Sequence, residues 1–293
     1  MPLDAVNSGS LVTTEWLAAH LESPWLKVLD ITCHLPNAKR DGRLEFQNEH
    51  VPGAMYFDLL GAGDPHSIFS HTLPDPQYFA DFVGSQGITN EDALVLYDVN
   101  GIGSSPRAWW LFEMFGHKRV FILDGGLLKW KMENRQLENG PAKASEAKKY
   151  VCKNPLQKIV SLNEVKQAAR EIRLRHLDAP QIVDARSMGR FSGIDLEPIA
   201  GIRSGHIPGS INLPSTKFWD LHSGTFSSKD KIIELFTSQN IDLDREVICT
   251  CGSGVTACVL IYALHRLGIH EASLFDGSWA EWASALDAEI EIH

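Results

Sequence analysis

Positive charge is sparse in this sequence and nowhere clustered. Against 37 Asp and Glu there are 27 Lys and Arg, a formal net charge of -10, and no basic run exceeds a pair such as Lys39-Arg40 or Lys148-Lys149. A phosphate backbone or an anionic membrane surface calls for a clustered basic face, so neither nucleic acid nor membrane is an expected partner. Long apolar runs are missing as well. The longest, Ala257 to Leu264, is far short of the roughly 20 residues of a membrane span. The opening residues MPLDAVNSGSLVTTEW hold an Asp and neither Lys nor Arg, unlike a signal or transit peptide, so a cytoplasmic location is expected and a mitochondrial one lacks a clear transit segment. Cysteine is sparse and odd in number: Cys33, Cys152, Cys249, Cys251 and Cys258 do not form the dense even set of a disulfide scaffold. Cys-x-x-Cys is absent, and no second ligand pair accompanies Cys249-x-Cys251. A zinc site and a dithiol redox centre are therefore not expected, and nothing points to another cofactor.

What is present is a repeat. Residues 28–59, VLDITCHLPNAKRDGRLEFQNEHVPGAMYFDL, and residues 182–213, IVDARSMGRFSGIDLEPIAGIRSGHIPGSINL, both run from an apolar segment to Asp, through an irregular loop, to His-(Val/Ile)-Pro-Gly and a second apolar run. Downstream, DALVLYDVNGIGSSPRAWWLFEMFG pairs with REVICTCGSGVTACVLIYALHRLG, and VFILDGGLLKW with ASLFDGSWAEW. His50 and Asp98 are 48 residues apart, His206 and Cys251 45; Asp98 and Asp124 are 26 apart, Cys251 and Asp276 25. Two homologous domains follow, 1–140 and 159–293, with a polar Ala/Lys-rich linker over 141–158.

Short apolar runs at Val28 to Ile31, Leu94 to Tyr97 and Val120 to Leu123 alternate with helical periods such as QYFADFVGSQG, and the second half repeats the pattern. That alternation predicts an α/β fold in which each domain is a mainly parallel sheet flanked by helices. Ligands of such sheets sit beyond the carboxyl ends of the strands. The loop CGSGVT at 251–256 is at such an end, and the matching first-half loop carries Asp98 where the second carries Cys251. Asp98 cannot do thiol chemistry, which leaves the first domain catalytically inactive.

Cys251 reads in two ways: a small buried residue at a tight turn, or a nucleophile at the positive end of a helix. Gly252 and Gly254 can adopt backbone angles closed to other residues, so successive amides can curl around an anion, and Thr256 is placed to cap the helix with its hydroxyl. These features favour a thiolate. A cysteine phosphatase needs an Arg six residues after the Cys, where Ala257 stands. A cysteine hydrolase needs a histidine base beside the thiol, and nothing in the sequence puts one there.

The tandem repeat, His-Ile-Pro-Gly, CGSGVTA and DGSWAEW together resemble the rhodanese superfamily over essentially the whole chain, and the loop is similar to that of the two-domain 3-mercaptopyruvate sulfurtransferases. The resemblance implies that Cys251 takes a sulfane sulfur from a small-molecule donor as a persulfide and hands it to a thiol acceptor, such as thioredoxin or a small thiol, or to cyanide. It implies that Ser253 and His71 assist, with His71 acting on Ser253 across the domain interface. Arg190 would bind the donor carboxylate, with Gly252, Gly254, Val255 and Thr256 lining the loop and Arg107 lining the cleft from the other side. Thiosulfate-preferring relatives carry basic residues after the Cys, where this chain has Gly252 and Ser253. Thiosulfate:cyanide transfer, and a sulfur carrier serving a protein partner, are the alternatives. Two positions depart from the pattern. Ile199 stands where a second substrate arginine is usual, with Arg203 nearby as a substitute, and Leu60 stands where an Asp would orient the histidine, leaving Asp58 or Asp64.

Overall fold

A computed structural model describes residues 11–142, 145–153 and 159–292. The first ten residues and positions 143–144 and 154–158 of the expected linker lie outside the described residues. The first sheet is built of β1 (Leu11–Val12), β2 (Leu26–Asp30), β3 (Met55–Tyr56), β4 (Ala93–Tyr97) and β5 (Val120–Leu123), in the order β1-β5-β4-β2-β3. The second is built of β6 (Ile159–Val160), β7 (Gln181–Asp184), β8 (Ile211–Asn212), β9 (Val247–Thr250) and β10 (Ser273–Phe275), in the order β6-β10-β9-β7-β8. One order maps onto the other strand for strand, and every pairing is parallel. The central strands are buried along their whole length, as their mainly apolar runs require.

Around the first sheet run α1 (Thr14–His20), α2 (Gly42–Asn48), α3 (Pro76–Ser85), α4 (Ser105–Met114) and α5 (Gly126–Met132). Around the second run α6 (Leu162–Arg173), α7 (Met188–Phe191), α8 (Lys229–Thr237), α9 (Ala257–Leu267) and α10 (Ser278–Ser284). The α6 start carries a full capping box, Ser161 with Glu164, a signal written in the sequence as Ser-x-x-Glu. α9 is apolar on every face because it lies between its own sheet and the other domain, where it packs on α4. Trp109 meets Tyr262 edge-on across that contact, ring centroids 5.1 Å apart, and one apolar cluster runs continuously through both domains.

The histidines of the repeated Pro-Gly turns serve the fold. His50 Nδ1 lies 2.7 Å from Phe46 O and His206 Nδ1 2.9 Å from Phe191 O, each ring stacked on that same phenylalanine. Tyr150 of the linker is buried, and the backbone of Lys148 and Lys153 donates to Gly84 and Phe115, so this segment lies along the first domain.

Candidate functional site

Strand β9 delivers Cys251 to the carboxyl edge of the second sheet, and α9 starts six residues on. Cys251 is only 2 % exposed, beneath a loop whose Gly252, Ser253, Val255 and Thr256 are half-buried. The surface clefts lined by Arg43, Tyr56 and Pro141 and by Lys166, Trp282 and Asp287 do not include it. Three contacts set the start of the loop. Cys251 N donates to Ser278 Oγ at 3.2 Å, Trp279 N donates to Cys251 O at 3.0 Å, and Ala280 N donates to Gly252 O at 3.0 Å. Ser278 holds a left-handed φ of 52° while its hydroxyl bonds Phe275 O, a strained turn fixed on both sides. Among the described residues, the N–H groups of Gly252, Ser253, Gly254, Val255 and Thr256 have no hydrogen-bond acceptor. Unpaired amides at a helix start form a ready site for an anion.

The first domain shows such a loop occupied. Asp98 Oδ2 accepts from the amides of Gly103, Ser104 and Ser105 at 2.9, 3.0 and 3.1 Å and from Ser105 Oγ at 2.7 Å, and Oδ1 accepts from Asn100 N at 3.2 Å. Leu127 N donates to Asp98 O at 3.0 Å, as Trp279 N does to Cys251 O. The same loop thus encloses a built-in carboxylate in one half and leaves its amides unpaired beside a thiol in the other.

Several expectations are corrected. Thr256 is the N-cap of α9 by position, but its backbone is already helical at φ -76°, ψ -16° and its side chain caps nothing. Gly254 is left-handed at φ 78°, whereas Gly252 is not. Gly252 is needed for space: a Cβ there would lie 2.5 Å from Arg190 Nη2. None of the loop amides bonds the Cys251 sulfur in this structure. Arg107 does not line a cleft for substrate. It is fully buried, paired with Asp276 at 2.8 Å and stacked 4.6 Å over the Trp110 ring.

His71 reaches the interface, at a left-handed φ of 67°, with its carbonyl bonded by Arg107. The expected hydrogen bond to Ser253 is not made. His71 Nε2 lies 3.6 Å from Cys33 Sγ and Nδ1 is buried without a partner. Burial, aided by the Arg107 charge, pushes the His71 imidazole down to about 4, so it is neutral at physiological pH. Asp58 and Asp64 do not orient it: their hydrogen bonds come from Gly61 N and His66 N. The Cys33 thiol is itself pushed up to about 11 by burial and the nearby Asp58 and Asp98 charges.

Arg190 lies against Gly252 of the loop and has a carboxylate partner. Glu197, nearly buried, clamps Arg190 through Nη2 at 2.5 Å and Nε at 3.3 Å, and it also takes Arg186 Nη1 at 2.9 Å. Nη1 of Arg190 has no hydrogen-bond partner among the described residues. Arg203 is no substitute for the absent second arginine, because its Nε and Nη2 hold the carbonyls of Ala283 and Ala285 at the end of α10. Ile199 is partly exposed. Glu197, Arg186, Asp276 and Ser278 were missed; the repeated Asp-Gly of DGGL and DGSW was the available signal for Asp276.

A doubled five-strand parallel sheet with a cysteine loop at the edge of one copy defines the class. Residues 13–133 and 164–285 each match the rhodanese-like domain, and the chain belongs to that family. Its relatives narrow the class further. The chain is 39% identical over 281 residues to the 3-mercaptopyruvate sulfurtransferase of Rattus norvegicus, covering 93% of this chain and 91% of that protein. It is 37% identical over 290 residues to the thiosulfate sulfurtransferase of Cricetulus griseus, covering 97% and 95%. In three dimensions it is similar to SseA from Escherichia coli, a 3-mercaptopyruvate sulfotransferase of the rhodanese fold, with TM-score 0.80 and 33% identity over 92% of this chain and 98% of that one.

Proposed function

We propose that the protein is a sulfurtransferase that moves the sulfur of 3-mercaptopyruvate, as the sulfane sulfur of a persulfide on Cys251, to a thiol acceptor or cyanide, releasing pyruvate. The observation that carries this reading is the set of unpaired amides from Gly252 to Thr256 beside Cys251, at the position where the first domain closes on Asp98. The Cys251 thiolate attacks the donor sulfur, and the donor's C–S bond breaks with its electron pair left on carbon. The resulting enolate takes the proton of the donor thiol and becomes pyruvate. The outer sulfur stays on Cys251 until an acceptor thiolate attacks it and Cys251 leaves as thiolate.

Arg190 Nη1 is the group for the donor carboxylate, held in place because Glu197 occupies the other edge of the guanidinium. The loop amides face the charge that develops on the ketone oxygen, assisted by the Ser253 hydroxyl. His71, neutral and directed at Cys33, supports the loop from the first domain and does not act on Ser253. The inactive first domain serves as scaffold and interface.

Purified protein with 3-mercaptopyruvate and a thiol is expected to release sulfide and to gain one sulfur atom by mass, removable by reductant. Release no greater than that of Cys251→Ser would sink the proposal. The likeness to a thiosulfate sulfurtransferase supports a second reading, thiosulfate:cyanide transfer. Gly252 and Ser253 bring no charge to a dianionic donor, so kcat/KM for thiosulfate is expected to be the lower of the two when both donors are assayed in one preparation.

A further inference from the structure

We infer that Arg107 is a positioning residue for sulfur transfer: from the first domain it holds the Gly254 carbonyl and thereby aims the Val255 amide of the Cys251 loop outward, toward the incoming anion. A trans peptide is planar, so its C=O and the following N–H point in opposite directions. Whatever fixes the carbonyl therefore fixes the amide. The loop uses this twice within its own domain, where α10 pins Cys251 O and Gly252 O through Trp279 N and Ala280 N, which turns the Gly252 and Ser253 amides the other way. The third clamp comes from elsewhere. Arg107 Nη1 donates to Gly254 O at 3.4 Å, and the Cys258 thiol donates to the same oxygen at 3.3 Å.

Arg107 is itself held rigidly. Asp276 Oδ1 accepts from Nη1 at 2.8 Å, the His71 carbonyl accepts from Nη2, and the Trp110 ring covers one face. Asp276 Oδ2 in turn takes Leu73 N at 2.6 Å, so the first-domain segment around His71, the arginine and the end of β10 form one buried knot under the loop. Gly254 completes it, since its left-handed φ of 78° brings the backbone to where a Cβ would lie 2.7 Å from Asp276 O. An arginine serving only to join the domains would need Asp276 and nothing from Gly254. The domain without the thiol thus contributes to the chemistry by orienting a peptide group.

This inference rests on Cys251 being the sulfur-accepting thiol, and the test separates the two. Full-length Arg107→Lys, Cys258→Ala and, as a control, Asp124→Asn are compared with the parent protein. Asp124 takes Phe226 N across the interface at 2.8 Å and does not touch the Cys251 loop. The readouts are kcat and KM for 3-mercaptopyruvate and the pH profile of iodoacetamide alkylation at Cys251 without any donor. A lysine reaches Asp276 but cannot fork to Gly254, so Arg107→Lys is expected to lose about tenfold in kcat with KM within about twofold. Its alkylation profile is expected to move to higher pH. Cys258→Ala is expected to move both in the same direction by less, and it decides the matter alone if the lysine variant does not fold. Asp124→Asn is expected to lower Tm and leave kcat and the profile of the folded protein unchanged. Parent-like kcat and alkylation profile in Arg107→Lys and Cys258→Ala, or the same shift in Asp124→Asn, would overturn the inference. A parent protein that takes no sulfur from 3-mercaptopyruvate overturns the functional reading instead, while the alkylation profiles still report on the amide.

Discussion

In the first domain the loop after β4 closes on its own anion, Asp98, while in the second the loop after β9 keeps its amides unpaired over a thiol. The two loops follow equivalent strands of equivalent sheets. The difference is one side chain that reaches back into the loop and one that does not. A carboxylate surrounded by four amides and a hydroxyl is a stabilising closure, and a loop left without it carries unsatisfied donors at a helix start. The second domain therefore gives up stability at the place where an exogenous anion is to be held. A second pair teaches the converse. At the end of β7, Asp184 is bound by Arg186 at 2.6 Å; at the end of β2, Asp30 has Thr32 where the arginine stands, and burial raises its carboxyl to about 6.

Five substitutions press on this comparison. The largest effect is expected from Cys251→Ser, which leaves the loop folded and removes the attacking atom: sulfide release from 3-mercaptopyruvate should fall by at least about a thousandfold with Tm unchanged. Next is Asp184→Asn, which removes one of the two carboxylates holding the buried Arg186, Glu197 being the other, and should cost about 3 kcal/mol by urea unfolding. Asp98→Ala leaves the first-domain amides facing a void and should cost about 2 to 3 kcal/mol, without lowering kcat per folded molecule. Catalysis lost in step with Asp98 would mean that the closed loop also takes part in the reaction. Ile199→Arg restores a second carboxylate grip and should lower KM about tenfold with kcat nearly unchanged, if one charged hydrogen bond is worth about 1.5 to 3 kcal/mol.

The smallest effect concerns Asp30. Its folded pKa near 6 is above the value of an unfolded aspartate, so the fold favours the protonated acid. Its contribution to stability is greatest below the unfolded pKa and falls as pH rises from about 4 to about 6, then levels off. Asp30→Asn should flatten that slope in Tm and stabilise the protein at pH 7 by about 1 to 2 kcal/mol. An unchanged slope would mean that another group titrates there.

Much of this was legible from one sequence. Repetition of spacing announced two domains, because equal intervals between an Asp, a His-Pro-Gly turn and a strand-ending residue reflect the same chain path taken twice. The cysteine loop was legible because glycines after a β-branched run and before an apolar helix have little use in a core. Partnership was not. Glu197 is a loop acid until its two arginines are seen, Arg203 looks free until it is found holding the end of α10, and Arg107 reads equally well as a substrate ligand or an ion pair.

By itself the sequence determined the doubled parallel sheet and the thiol at the end of a strand, since strand length, periodicity and turn residues act over neighbours in the chain. Only the tertiary structure decided which carbonyls of the loop are pinned, and hence which amides are left for an anion. Apart from the Cys258 thiol on Gly254 O, those pins come from α10 and from the other domain, more than 25 and more than 140 residues away, and local sequence cannot encode which side of a peptide plane such a distant donor will occupy.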